Sequence, residues 1–333
     1  MKEVKNEIWV LADDRPGNYS QAVGLAEELD FEHKIVNISY GSFAALPNIL
    51  LGSTSKGLSR EAKKSLSNLG HFPRVVIAAG RRAAPISLHI KKQSGNRTKI
   101  IQIMNPDSSH KKFDCIILPR HDRIKKSFTN VIRSIGALTK VSKSLINYEM
   151  NNYQDELSDL LKKKKIAVLV GGDGKKTKFD ARSTNLLCER LVRLAESSDS
   201  QLLIITSRRT RGRVLNLISK NLEKSVVNYK IFDYNEINKN HNPYLALVGA
   251  ADCFVATGDS VSMISEVCSL NKPVYIFDTA KISSKKHRRF HKSLLLEGYA
   301  KDFSEDVLSY KSKKMKILNE TKRIADIIKE EFL

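Results

Sequence analysis

Short apolar runs alternate with helix-spaced segments along the whole of this 333-residue chain. Strands are expected near 7–12, 34–39, 74–79, 98–103 and 114–118, and again near 165–170, 201–206, 228–232, 253–256 and 273–277. Helical patterns lie between them, at 21–29, 83–91, 185–196 and 210–221 among others. Strands that alternate with amphipathic helices in this way build parallel sheets covered on both faces. A polar, charged stretch around 145–163 lacks strand character and breaks the pattern. The expected fold is therefore α/β, with two Rossmann-like doubly wound domains at 1–150 and 160–305, which this length allows. Segment 306–333 reads as an amphipathic helix with Ile317, Leu318, Ile324, Ile327 and Ile328 on its apolar side.

An apolar content of 41% fits a globular chain. The four cysteines, Cys115, Cys188, Cys253 and Cys268, form no CxxC and no metal-ligand spacing. Buried thiols in a reducing compartment, and no bound metal, are expected. The first strand reaches an acidic turn too soon for a signal peptide's apolar core. No apolar run approaches the roughly 20 residues that span a bilayer. A cytoplasmic protein is expected, with the inner face of a membrane as a peripheral station. The formal charge of +21 predicts an anionic partner: a phosphate ligand or an anionic membrane surface. Cations cluster at 161–165 and in 281-KISSKKHRRFHKS-293, which holds six Lys/Arg, two His and no acid. Aromatic residues, 7% of the chain, are not interleaved with these clusters, so nucleic acid is not an expected partner.

Ligands of doubly wound sheets bind outside the carboxyl ends of the strands. Those ends carry Asp13, Asp14, Arg15 and Asn18 after the first strand, Gly80, Arg81 and Arg82 after the third, Asn105 after the fourth, and His121 and Asp122 after the fifth. In the second half they carry Gly171 and Gly172, then Ser207, Arg208 and Arg209, then Gly258, Asp259 and Ser260. Ordinary turn chemistry explains part of this. Glycine pairs and helix starts beside arginines also suit a diphosphate.

Within 253-CFVATGDSVSMISEVCSLNKPVYIF-277, residues 261–270 read as a helix capped by Asp259 or Ser260. A capping box would place its Glu at 262 or 263, which are Ser and Met, so capping does not explain Glu266. Glu266, about two turns into the helix on the face that holds Asp259 and Ser262, is expected to accept hydrogen bonds from ribose hydroxyls. A solvated carboxylate is the plainer alternative. Asp259 fits awkwardly, since a carboxylate repels a diphosphate; capping or a sugar contact would account for it.

Two phosphate motifs are excluded. The residues around Gly174-Lys175-Lys176 do not match G-x-x-x-x-G-K-[ST], and no G-x-G-x-x-G follows a strand. The GGDG at 171–174 resembles the signature of NAD and diacylglycerol kinases, although Lys175 stands where those families usually have Thr. It motivates a third reading, a lipid or NAD kinase.

The blocks 13-DDRPGNYSQAVGLAEEL-29, 80-GRRAAPISL-88, 114-DCIILPRHDR-123, 206-TSRRT-210, 242-NPYLALVGAAD-252 and 257-TGDSVSMISEV-267 resemble the mitochondrial-fission "elongated mitochondria" family, in order over about residues 7–280. Arg120 departs from that family's usual Glu, and Asn18 from its common His. The resemblance implies a GT-B-like arrangement, two Rossmann-like domains facing across a cleft, with a C-terminal helix returning to the first. It implies a nucleotide-diphosphate sugar, UDP- or GDP-linked, in the second domain, bound by the residues above with Asn242, Pro243, Tyr244 and Ser262. It implies no cofactor beyond that donor. The first-domain edges would then meet the acceptor, with Asp14 as base or, second, His121 oriented by Asp122. The expected function is an inverting glycosyltransferase acting on a cell-envelope glycan or lipid-linked acceptor. The alternative is a non-catalytic interaction protein that recruits partners at a membrane surface.

Overall fold

The computed structural model describes residues 3–124, 126–158, 163–174, 177–237, 242–304, 307 and 315–333. The chain divides into unit 1, Met1–Lys140 with Asn319–Leu333, and unit 2, Val141–Leu318.

Unit 1 contains β1 (Val4–Ala12), α1 (Pro16–Leu29), β2 (His33–Asn37), α2 (Asn48–Leu51), α3 (Arg60–Ser67), β3 (Phe72–Ala79), α4 (Ala84–Gln93), β4 (Lys99–Ile103), β5 (Cys115–Pro119) and β6 (Val131–Ser134). Its strands run parallel in the order β2-β1-β3-β4-β5-β6. β1 shows why both faces are covered. Ile8 and Val10 enter one apolar cluster with α1, while Trp9 and Leu11 enter another with α3 and α4.

Unit 2 contains α5 (Lys143–Asn152), α6 (Gln154–Leu157), β7 (Lys164–Leu169), α7 (Ala181–Ser197), β8 (Ser200–Ile205), α8 (Gly212–Leu222), β9 (Tyr229–Phe232), α9 (Tyr244–Ala250), β10 (Cys253–Thr257), α10 (Val261–Cys268), β11 (Val274–Phe277), α11 (Lys285–Glu297) and β12 (Lys301–Asp302). The parallel order is β12-β11-β10-β7-β8-β9. All four cysteines are free and buried, and burial pushes the Cys115 and Cys188 thiols up to about 12.

The last helix, α12 (Glu320–Glu331), returns to unit 1 and packs on α1. Ile324, Ala325 and Ile328 enter the β1–α1 cluster. Glu320 accepts the Ile135 N–H at 2.7 Å, and the Thr321 hydroxyl accepts from Thr139 N and donates to Thr139 O, each at 3.0 Å. The helix is shorter than the pattern over 306–333 suggests, and 308–314 lie outside the described residues. Gly24 of α1 faces the same Thr139–Lys140 turn; a Cβ there would meet the Thr139 carbonyl oxygen at 2.5 Å, and that backbone cannot give way.

Unit 1 gives way to unit 2 earlier than the expected boundary at 150, because α5 packs on α9 of unit 2. The stretch around 145–163 is helical in α5 and α6, with 159–162, and so part of the lysine run, outside the described residues. β6 and β12 were not expected. β12 has only two residues, and the β6 sequence VIRS carries too little apolar pattern to announce a strand. Among the described residues, no helix is long and apolar enough to cross a membrane.

Candidate functional site

Each sheet has a point where the strand order reverses, between β1 and β3 in unit 1 and between β7 and β10 in unit 2. Chains leave in opposite directions there, opening a crevice at the carboxyl edge. Each unit has a hydrogen-bonded polar cluster at this edge.

In unit 1, Asp13 has a side chain only 1% exposed. It accepts from Arg82 Nη2 at 2.6 Å, Asn18 Nδ2 at 2.8 Å, the Arg15 N–H at 3.1 Å and the Tyr40 hydroxyl at 3.3 Å. Arg82 also pairs with Asp14 and stacks on the Tyr40 ring, 4.0 Å from its centroid. Asp14 is the outward carboxylate of the two, 59% exposed. Burial pushes the Asp13 carboxyl up, and its Asp14 neighbour acts the same way against the donors. Hydrogen bonding with Asp13, then Arg82, holds Asp14 below the usual range. Gly80, at φ 82°, lets Asn18 approach: a Cβ would sit 2.6 Å from Asn18 Nδ2.

Other first-domain candidates have different surroundings. Arg15 is the N-cap residue of α1. Arg81 turns away, donating to the carbonyls of Leu46 at 2.7 Å and Ala44 at 3.0 Å. Asn105 closes a local turn by accepting the Asp107 N–H at 3.0 Å. His121 is buried at the end of β5. β5 lies three strand positions from β1, roughly 14 Å at about 4.8 Å per strand, so His121 and Asp14 are not brought together. Asp122 forms a turn, its N–H on the Pro119 carbonyl at 2.9 Å and its own carbonyl on Arg133 at 2.7 Å.

In unit 2, Asp259 has a fully buried side chain. Its Oδ2 accepts from the Gly172 N–H at 2.8 Å and pairs with Arg209 Nη2 at 2.7 Å, while its Oδ1 accepts from the Thr257 hydroxyl at 2.6 Å. Thr257 Oγ1 also accepts the Gly171 N–H at 2.8 Å. Glycine is required at both positions: a Cβ on Gly171 would collide with the Asp259 carboxylate, and one on Gly172 with the Arg209 backbone. Ser207 and Thr210 close the turn that presents Arg209, the Ser207 N–H donating to Thr210 Oγ1 at 2.9 Å, and Arg208 beside them is exposed. Asp173 of GGDG is held by the Phe179 N–H at 2.9 Å, Arg211 at 2.8 Å and Arg213 at 3.1 Å; Lys175 and Lys176 lie outside the described residues.

Ser260 is the N-cap of α10, its hydroxyl accepting the Met263 N–H, and Ser262 lies in the first turn. Further along, Glu266 Oε2 accepts the Tyr244 hydroxyl proton at 2.7 Å. Burial and the Glu266 charge push the Tyr244 phenol well above its usual value. Asn242 accepts the Tyr244 N–H at 3.0 Å and Pro243 caps α9, so both set the start of the helix that carries Tyr244.

Sequence reading missed a group behind Gly258. A Cβ there would lie 2.6 Å from His291 Cε1 and 2.7 Å from Ser283 Oγ. His291 Nδ1 is 3.4 Å from Asp278, whose carboxyl burial would push up but which hydrogen bonding from His291 holds below the usual range. A cavity of about 340 Å³ opens beside them, lined by Asp278, Arg288, His291, Lys292, Leu295 and Asp302 among others. His287 accepts the Ser284 N–H on Nδ1 at 3.4 Å, which leaves its proton on Nε2. Burial lowers its pKa against the nearby Asp259 charge. The signal was present in the cationic run 281–293, where the two histidines read as part of a charge cluster.

Two solved structures share this architecture. MurG of Acinetobacter baumannii matches with a TM-score of 0.51 at 12% identity, covering 98% of this chain and 100% of that one. The UDP-GlcNAc 2-epimerase of Methanocaldococcus jannaschii, in complex with UDP-GlcNAc and UDP, matches with 0.52 at 13%, covering 99% and 100%. Two parallel six-stranded units with polar clusters at their reversal points define a GT-B-like protein. The chain belongs to the family described as Mitochondrial fission ELM1, which its residues 16–332 match. The uncharacterized protein RP120 of Rickettsia prowazekii is 32% identical, with 97% of each chain covered. Mitochondrial fission protein ELM1 of Arabidopsis thaliana is 28% identical over 85% of this chain and 69% of that one.

Proposed function

We propose that this chain binds a nucleotide-diphosphate sugar at the β7/β10 edge of unit 2 and transfers the sugar, with inversion, to a cell-envelope glycan or lipid-linked acceptor. The observation that carries this reading is Glu266, which accepts from the Tyr244 hydroxyl at 2.7 Å, about one and a half turns into α10. A carboxylate so held suits a pair of ribose hydroxyls, while the α10 N-terminus, Gly171, Gly172 and Arg209 suit the diphosphate. The UDP and UDP-GlcNAc held by the M. jannaschii epimerase on the same fold support this ligand class. The acceptor oxygen attacks the anomeric carbon, its proton passes to a base, and the bond to the diphosphate breaks as that group leaves. Asp14 is the base assigned, and Arg82 must release it before it can act.

One observation favours the second reading, a non-catalytic recruitment protein. The Gly172 N–H and Arg209, two groups that would hold a diphosphate, are already engaged by Asp259. Calorimetric titration of UDP, GDP, ADP and CMP into wild type and Glu266→Ala separates the two. The donor-site reading expects one diphosphate to bind, and its affinity to fall more than about tenfold, roughly 1.4 kcal/mol, in the variant. Binding of none of the four overturns it in favour of recruitment.

A further inference from the structure

Exposed large apolar side chains are concentrated in one short segment. Of eleven such residues among those described, four lie between 43 and 50: Phe43 at 56%, Leu46 at 40%, Ile49 at 84% and Leu50 at 73% exposed. Isolated exposed apolar residues are ordinary, whereas a run of them marks a contact surface.

The segment is held firmly from behind. Arg81 donates to the Leu46 and Ala44 carbonyls at 2.7 and 3.0 Å. Asn48, buried, donates to the carbonyls of Arg81 at 2.7 Å and Pro106 at 2.6 Å. Gly52, at φ 58°, turns the chain back after α2. Backbone polar groups are thus tied inward and the apolar side chains turned out. The neighbouring chain supplies cations: residues 33–60 contain no Asp or Glu, and Lys56 and Arg60 are exposed, with Glu61 the first acid after them. Lys56 precedes Gly57, which lies against Ala44.

We propose that segment 42–51 is a membrane-docking tip of unit 1. Phe43, Leu46, Ile49 and Leu50 enter the interfacial layer of an anionic bilayer, and Lys56 and Arg60 meet lipid phosphates. A firm apolar tip with cations beside it matches both layers of such a surface. A second copy is the poorer occupant, because two chains of formal charge +21 repel as they approach. The tip lies in the surface; α2, with four residues, is far too short to span it. This docking reading stands without the donor-site reading, since no nucleotide takes part.

Co-sedimentation with vesicles of phosphatidylcholine mixed equally with phosphatidylglycerol tests it. Wild type is expected to partition, and the double variant Ile49→Asp/Leu50→Asp to partition at least about tenfold less at an unchanged melting temperature. In Ile49→Trp, the new indole should be quenched by acyl chains brominated near the headgroup; Trp9, 1% exposed, stays out of reach. Equal partitioning of wild type and the double variant overturns the proposal, as does an unquenched indole. So does a wild-type dimer that the double variant dissolves while vesicles leave it untouched, which would make the occupant a second copy.

Discussion

Asp259 Oδ2 lies 2.7 Å from Arg209 Nη2 and also accepts the Gly172 N–H at 2.8 Å, so one buried carboxylate holds two groups that suit a diphosphate. An incoming diphosphate must compete with this internal anion and tolerate its charge. Asp259→Asn is therefore expected to raise affinity for a nucleoside diphosphate about tenfold, or roughly 1.4 kcal/mol, by calorimetry. A fall in affinity would mean that Asp259 orients Arg209 for the ligand.

Tyr244 acts through Glu266. Removing its hydroxyl in Tyr244→Phe takes away one contact that orients Glu266 and should weaken nucleoside diphosphate binding several-fold, on the order of 1 kcal/mol. Inorganic pyrophosphate has no ribose, so its binding should not change. Equal loss for both ligands would show that Tyr244 only supports the fold.

Gly172→Ala drives a methyl group into the Arg209 backbone. Main chain cannot swing aside as a side chain can, so a loss of about 1–3 kcal/mol in stability is expected by denaturant titration, with loss of diphosphate binding. A variant as stable as wild type would mean the turn at 207–210 adjusts freely.

Asp13 and Asp14 should separate in their effects. Asp13→Asn breaks a buried network with four donors and is expected to cost about 1–3 kcal/mol of stability. Asp14→Asn changes an exposed side chain and should alter stability by less than about 0.5 kcal/mol while abolishing sugar transfer. Full transfer activity in Asp14→Asn would remove it as the base.

His287 gives unit 2 a pH dependence of known sign. Burial lowers its folded pKa below the ordinary 6.5, so as pH falls through 6.5 the unfolded chain takes up a proton that the folded one resists. Stability is then lost from about pH 6.5 downward, until the folded pKa is passed. Melting temperatures between pH 5 and 7.5 should fall less steeply in His287→Gln. Parallel profiles would place the slope on His89 and His110, whose pKa values burial also lowers.

The central strands of both sheets were legible because they are apolar on both faces and the helices are not, a contrast strong enough to survive imprecise ends, whereas β6 and β12 lack it. The Ser260 cap and the helix over Glu266 could be read for the same local reason. Long-range partners could not. Nothing near Tyr244 or Glu266 in sequence announces that a hydroxyl 22 positions away would reach the carboxylate. Asp259 looked awkward beside a diphosphate. The contacts that explain it come from Gly172 and Arg209, which only the fold brings to it. Arg81 and Arg82 are neighbours with the same charge, yet one ties down a loop and the other joins the carboxylates, and which one turns inward depends on packing.

The return of α12 to unit 1 sets an order of events during synthesis. Ile324, Ala325 and Ile328 complete a core whose other members lie before residue 140, with all of unit 2 between them. While the ribosome makes residues 141–318, the β1–α1 cluster has an open apolar flank, and unit 2 can be finished before it closes. A message cut short after unit 2 would thus yield a sound second half joined to a first half with an uncovered core, a product suited to capture by chaperones and disposal.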